Sequence, residues 1–156
     1  MSPTEASRPN SSPQDRAERV VSLMFGHDAF SRWLGVEIVK IEPARVTTRM
    51  TVRAEMLNGF HVCHGGVTFA FADSAFAFAC NSYNLTTVAS GCTIEFVAPA
   101  RENDVLTAVA QERSVSGRTG VYDIEVTNQD GAAIAFFRGK SYRIKGHVLD
   151  AANRTA

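Results

Sequence analysis

The chain has 156 residues, 45% of them apolar and 21% charged, with 16 Lys and Arg balanced by 16 Asp and Glu. That is enough chain for one domain around one core, and its neutral balance gives no global pull toward nucleic acid or an anionic membrane. No apolar run reaches the ~20 residues a membrane-spanning helix needs, and the N-terminus has no apolar stretch of the secretory type. Three cysteines, Cys63, Cys80 and Cys92, form an odd and sparse set. They point to reduced thiols and a cytoplasmic location.

Residues 1–14 are rich in Ser and Pro and lack any aromatic. Such a stretch buries too little surface to offset its ordering entropy and is expected to be a disordered tail. A helical pattern begins near Asp15, with Val20, Val21, Met24 and Phe25 close to helical spacing and Gly26 as its end or a kink. Phe30, Trp33 and Leu34 predict a second short helical turn. Strand signals follow at Val36, Ile38 and Ile41, then a turn at Pro43-Ala44. Val46, Thr48, Met50 and Val52 alternate with polar neighbours, as in a strand with one wet face.

From Val67 to Cys80 the chain reads VTFAFADSAFAFAC, eleven apolar residues in fourteen with no Gly or Pro. This predicts a helix that is apolar nearly all round and therefore buried on most sides. His64-Gly65-Gly66 is a tight entry loop to it. Strands are then predicted at Thr87–Val97, Leu106–Val115, Thr119–Thr127 and Ala132–Ile144. Gly117 and Asp130-Gly131 mark turns between them. Strands broken by a lone apolar helix indicate α+β, an antiparallel sheet wrapped around one long buried helix. One domain is expected over 15–146, with a flexible tail at 147–156.

Asp73 is the only charged residue between Gly65 and Asn81. A carboxylate on a stripe with Phe69, Phe76 or Ala77, and Cys80 is desolvated, which raises its pKa and makes it a better base near neutral pH. The competing structural account is an Asp satisfied by Ser74, Thr68 or backbone. Gly65 and Gly66 at the helix start leave backbone N–H groups open to an incoming oxygen, and these could hold a developing oxyanion.

Gly65 and Asp73 are eight residues apart, about 12 Å along one helix. A base and an oxyanion donor must both sit ~3 Å from one reacting centre. If both act, they come from two subunits whose helices run antiparallel across a two-fold axis, and a homodimer follows.

The run MLNGFHVCHGGVTFAFADSAFAFACNS (Met56–Ser82) resembles the hotdog thioesterases of phenylacetate degradation, the PaaI family. So do VASGCTIEFVAPA (Val88–Ala100), TGVYDIEV (Thr119–Val126) and FRGKSYRI (Phe137–Ile144). The resemblance implies a hotdog fold and hydrolysis of acyl-CoA thioesters, with phenylacetyl groups and their ring-hydroxylated forms preferred. It implies Asp73 as general base or nucleophile and Asn58 as the residue that orients the water or the carboxylate. The oxyanion amide would be that of Gly65, opposite Asp73 of the partner subunit, in a homotetramer built as a dimer of dimers. No cofactor or metal is implied. His64 and Gly66 are assigned with the loop to substrate binding. Arg118, Thr119, Arg138, Lys140 and Arg143 lie at strand ends in the matching segments. The Arg and Lys charges among them could grip the CoA phosphates or simply face solvent.

His61, Cys63 and His64 are close in sequence but lack a second cluster, a weak metal signal. A hotdog acyl-CoA hydratase or dehydratase is the alternative enzyme, kept open by His64. A non-catalytic acyl-CoA-binding module is the alternative outside enzymes, although such a sensor would normally carry an attached DNA-binding domain or a basic recognition helix, and only a short tail is expected outside the domain here.

Overall fold

The computed structural model describes residues 11–151. Its first helix, α1 (Pro13–His27), begins at a capping box. The Ser12 hydroxyl accepts from the Asp15 N–H at 3.0 Å, and the Asp15 carboxylate accepts from the Ser12 N–H at 3.2 Å. This satisfies donors that a helix start leaves open, and Pro13 is well suited to the first turn. Pro13 and Gln14, expected in the tail, therefore belong to the helix, and Gln14 Nε2 donates to the Ile41 carbonyl at 2.7 Å. The expected tail residues 1–10 lie outside the described residues. Gly26 neither ends nor caps α1. The helix runs on to His27, and Asp28 then caps α2 (Ala29–Leu34) by accepting from the Ser31 N–H at 2.9 Å.

A hairpin of β1 (Glu37–Glu42) and β2 (Arg45–Thr51) follows, turned through Ala44 at φ 63°. The long apolar helix is α3 (Gly65–Asn81). Then come β3 (Leu85–Phe96), β4 (Val105–Ser116), β5 (Thr119–Thr127) and β6 (Ala133–His147), and a one-turn α4 (Val148–Ala151). Part of the expected C-terminal tail is thus structured. Asn84, at φ 67°, accepts from the Val148 and Leu149 N–H groups at 3.3 and 2.9 Å. Residues 152–156 lie outside the described residues.

The six strands form one antiparallel sheet in the order β1-β2-β4-β5-β6-β3. α3 lies against one face of it, as expected. Its Phe71, Ala72, Ala75, Phe76 and Ala79 are buried among Met50, Leu106, Ala108, Tyr122, Ile124 and Phe137. α1 packs on another side of α3, with Phe25 edge-on to Phe78 at 6.2 Å. β5, whose faces look only roughly sorted in sequence, is sorted in the sheet. Gly120, Tyr122, Ile124 and Val126 are buried, while the residues between them are not. β3 is an edge strand that, among the described residues, pairs only with β6, and most of its residues are exposed.

One buried group is out of keeping with this core. Thr48, fully buried on β2 between Val46 and Met50, has no hydrogen-bond partner for Oγ1 among the described residues. An unpaired buried hydroxyl is destabilising, and valine has the same shape without it. Thr48→Val is expected to raise the unfolding free energy by about 1 kcal/mol in urea titration. A loss of stability would mean that the hydroxyl is satisfied after all.

Candidate active site

The loop before α3 is built by Asn58. Its backbone N–H donates to the Val62 carbonyl at 2.8 Å, and its carbonyl accepts from the His61 N–H at 3.0 Å. Its Oδ1 accepts from the N–H groups of Phe60 at 2.9 Å and Val62 at 3.4 Å. Two backbone donors on Oδ1 fix the orientation of the amide. They leave Nδ2 without an acceptor among the described residues. The loop is anchored by Cys63 N–H to the Ala100 carbonyl and His64 N–H to the Met56 carbonyl, both at 2.8 Å.

His64 caps α3, and its Nδ1 accepts from the Gly66 N–H at 2.9 Å. This corrects the expectation that both glycine amides are open. The imidazole occupies that of Gly66, whereas the Gly65 N–H has no acceptor among the described residues. A helix start concentrates such unpaired donors and partial positive charge. Gly65 also permits a close approach, since a Cβ there would lie 3.1 Å from Cζ of Phe96. A cavity of about 320 Å³ opens beside it, lined by Val62, Thr68, Phe96, Ala98 and Ile134 among others.

Asp73 lies half-buried in the middle of α3, and burial pushes its carboxyl above the usual aspartate range. No hydrogen bond or ion pair holds it among the described residues. The hydroxyls that could have satisfied it are committed elsewhere. Ser74 Oγ lies 2.7 Å from Ser31 Oγ, which also donates to Asp28 Oδ2 at 2.5 Å. Thr68 Oγ1 is 3.7 Å from Cys63 Sγ. One helical turn to either side of Asp73 stand Phe69 and Phe76, and both rings pack on Phe137 of β6, at 5.1 and 6.1 Å between centroids. Burial, with the Asp73 charge adding to it, pushes the Cys80 thiol up to about 12 and raises Cys92 as well. Both shifts favour the thiol over the nucleophilic thiolate. Of the four phenylalanines of α3, Phe71, Phe76 and Phe78 fill the core, and only Phe69 is partly open.

Gly65 and Asp73 stand on the same unbroken helix, so about 12 Å separates them within one protomer. The basic residues fall into two places. Arg138 is on the outer sheet face and pairs bidentately with Asp123, at 2.6 and 2.9 Å. Arg113 binds the same carboxylate at 2.9 Å. These guanidinium groups, Arg138 first, hold Asp123 below the usual range. Lys140 is exposed two residues further along β6. Arg118, Thr119 and Arg143 instead surround a small crevice near Cys80, at the far end of α3 from Gly65. Among the described residues, no three His, Cys, Asp or Glu side chains converge as a metal site. Sequence reasoning missed Phe96 and Phe137. Nothing local marks them, since only strand register brings them to Gly65 and to the flanks of Asp73.

The model of the thioesterase superfamily matches residues 60–135. The chain is 50% identical over 125 residues to acyl-coenzyme A thioesterase PaaI of Escherichia coli K12, covering 80% of this chain and 89% of that protein. It is 35% identical over 127 residues to a putative esterase of Archaeoglobus fulgidus, covering 81% and 82% of the two chains. The structure of the Escherichia coli PaaI protein from the phenylacetic acid degradation operon matches with a TM-score of 0.86. The two are 47% identical, over 87% of this chain and 99% of that one.

Proposed function

The chain belongs to the thioesterase superfamily, as an acyl-CoA thioesterase of the PaaI family with a hotdog fold, and from that premise we propose that it hydrolyses aryl-acetyl-CoA thioesters, phenylacetyl-CoA and its ring-hydroxylated forms, in phenylacetate degradation. The observation that carries the mechanism is the unpartnered, half-buried Asp73 carboxylate on the same helix whose first amide, Gly65, is open. In this reading Asp73 either takes a proton from water as the water attacks the thioester carbon, or attacks that carbon itself. The carbonyl oxygen gains charge and is held by the Gly65 N–H. The tetrahedral intermediate collapses with loss of the CoA thiolate, a leaving group good enough to need no strong acid; when water attacked, this gives the free acid, and when Asp73 attacked, it gives a mixed anhydride that water then hydrolyses to the free acid and the Asp73 carboxylate. Asn58 Nδ2, with no acceptor of its own, orients the water or the carboxylate.

Because one helix cannot bring Asp73 and Gly65 to one carbon, the site is shared. Asp73 of one subunit faces Gly65 and Asn58 of the other, in a homodimer that pairs further into a homotetramer. The exposed edge strand β3 offers a surface for such pairing. Arg118, Lys140 and Arg143 are the stronger candidates for the CoA phosphates, since none has a carboxylate partner among the described residues, whereas the charge of Arg138 is already matched by Asp123. The three cysteines are free thiols, in keeping with a cytoplasmic enzyme. The hydratase reading is weaker, because no His accompanies Asp73 on α3 and the His64 Nδ1 is engaged by Gly66.

The test is thiol release from phenylacetyl-CoA, hydroxyphenylacetyl-CoA and short aliphatic acyl-CoAs. The aryl substrates are expected to exceed the aliphatic ones in kcat/KM by about tenfold or more. Preference for the aliphatic thioesters would overturn the aryl-acetyl assignment.

A further inference from the structure

β5, β6 and β3 place Tyr122, Gly139 and Cys92 in one cross-strand row, Tyr122 opposite Gly139 and Gly139 opposite Cys92. Directly paired residues share a face of the sheet. Tyr122 is buried and its ring lies 5.6 Å from that of Phe76, so this face is the one that carries α3. Gly139 leaves a slot in the middle of the row, and the Phe76 ring fills it. A Cβ on Gly139 would stand 2.7 Å from both Cε1 and Cζ of Phe76 and 2.8 Å from Cδ1. The ring cannot swing clear, because it is fully buried and held between Tyr122 and Phe137. A methyl group there would have to lift α3 off the sheet near Phe76, less than one turn from Asp73.

Resting on the assignment of Asp73 above, we propose that Gly139 is a positioning residue for thioester hydrolysis: the slot it leaves for Phe76 sets how deeply α3, and with it the Asp73 carboxylate, sits against the sheet. The backbone of Gly139 is ordinary strand with no positive φ, so conformational freedom does not account for glycine there. Phe76, which fills the slot, stands three residues from Asp73 on α3, and the Cys92 thiol at the other end of the row is raised by burial first and then by the Asp73 charge, in keeping with a slot close to the carboxylate.

The experiment compares wild type, Gly139→Ala, Gly139→Ala with Phe76→Leu, and Asp73→Asn, each assayed for kcat, KM and the pH profile of kcat/KM. Leucine lacks the Cε1 and Cζ atoms that the new methyl would meet at 2.7 Å, and its Cδ atoms can turn aside on a freely rotating bond, so the double variant restores most of the volume. Gly139→Ala is expected to lose kcat by about tenfold or more, since small displacements of reacting groups are costly. Its KM should change little, and its acid limb should move to lower pH as Asp73 becomes more hydrated. The double variant is expected to regain most of the loss. If Gly139→Ala does not fold, the double variant is expected to fold and to hydrolyse thioester. Wild-type kcat and acid limb in Gly139→Ala, or no recovery in the double variant, would overturn the proposal. Retained activity in Asp73→Asn would instead overturn the assignment of Asp73 on which it rests.

Discussion

Asp73→Asn is expected to lower kcat for thioester hydrolysis by about 10²- to 10⁴-fold, the range that a positioned base or nucleophile supplies. The protein should remain folded, because no hydrogen bond or ion pair among the described residues depends on this carboxylate. Wild-type activity itself carries a matching signature. Burial holds the Asp73 pKa above its ordinary 3.8. The reactive form is the carboxylate, so kcat/KM should fall as pH drops through that raised value. Stability runs the other way. The folded chain binds the Asp73 proton more tightly than the unfolded chain does. The stabilisation this gives is present at low pH and is lost as pH rises through the folded-state pKa. Asp73→Asn should therefore melt above wild type at pH 7, with the gap closing toward acid. A variant less stable than wild type at neutral pH would point to a structural Asp73 with a partner.

The second large effect concerns the Gly65 amide. Proline is tolerated at the first position of a helix, and His64 already has the φ of −59° and ψ of 133° that suit the residue before a proline. Gly65→Pro therefore deletes one N–H with little cost to the fold. Loss of an oxyanion donor is expected to lower kcat by about 10²- to 10³-fold. Gly65→Ala keeps the N–H and adds only a Cβ 3.1 Å from the exposed Phe96 ring, which can give way. It should lose far less. Equal losses in the two variants would assign the effect to bulk and overturn the role of the amide. The same variant tests whether the site is shared. Asp73→Asn and Gly65→Pro subunits, unfolded and refolded together, give heterodimers in which one of the two sites has both groups intact. With random pairing the mixture should recover about a quarter of wild-type activity from two nearly inactive proteins. No recovery in mixed dimers would mean that each site is built within a single chain.

Much of this fold is legible in the residues themselves. Val67–Cys80 predicts the buried helix because its apolar residues leave no wet face, and α3 spans Gly65–Asn81. Pro43-Ala44, Gly117 and Asp130-Gly131 mark hairpins because turns demand particular residues locally. The structure has Ala44, Gly117 and Gly131 at φ 63°, 58° and 77°. Asp73 stands out by being the single charge in that helix. The boundaries of the two tails were less legible. The Ser12 cap and the Asn84 contacts to α4 depend on side-chain geometry rather than composition.

Near neighbours along the chain are enough to set the α+β order, the apolar helix, the isolated carboxylate and the separation that keeps Gly65 from Asp73 within one chain. Which groups are free to act is a matter of tertiary packing. It turned Ser74 toward Ser31 and Thr68 toward Cys63, so that Asp73 is left unpartnered. It set the His64 ring on the Gly66 amide and left that of Gly65 open. It divided the basic residues between the outer sheet face and the far end of α3, and it laid Phe76 into the slot of Gly139. Each of these outcomes rests on strand register or side-chain direction. A one-residue shift in register would reverse every face of a strand without changing its local pattern.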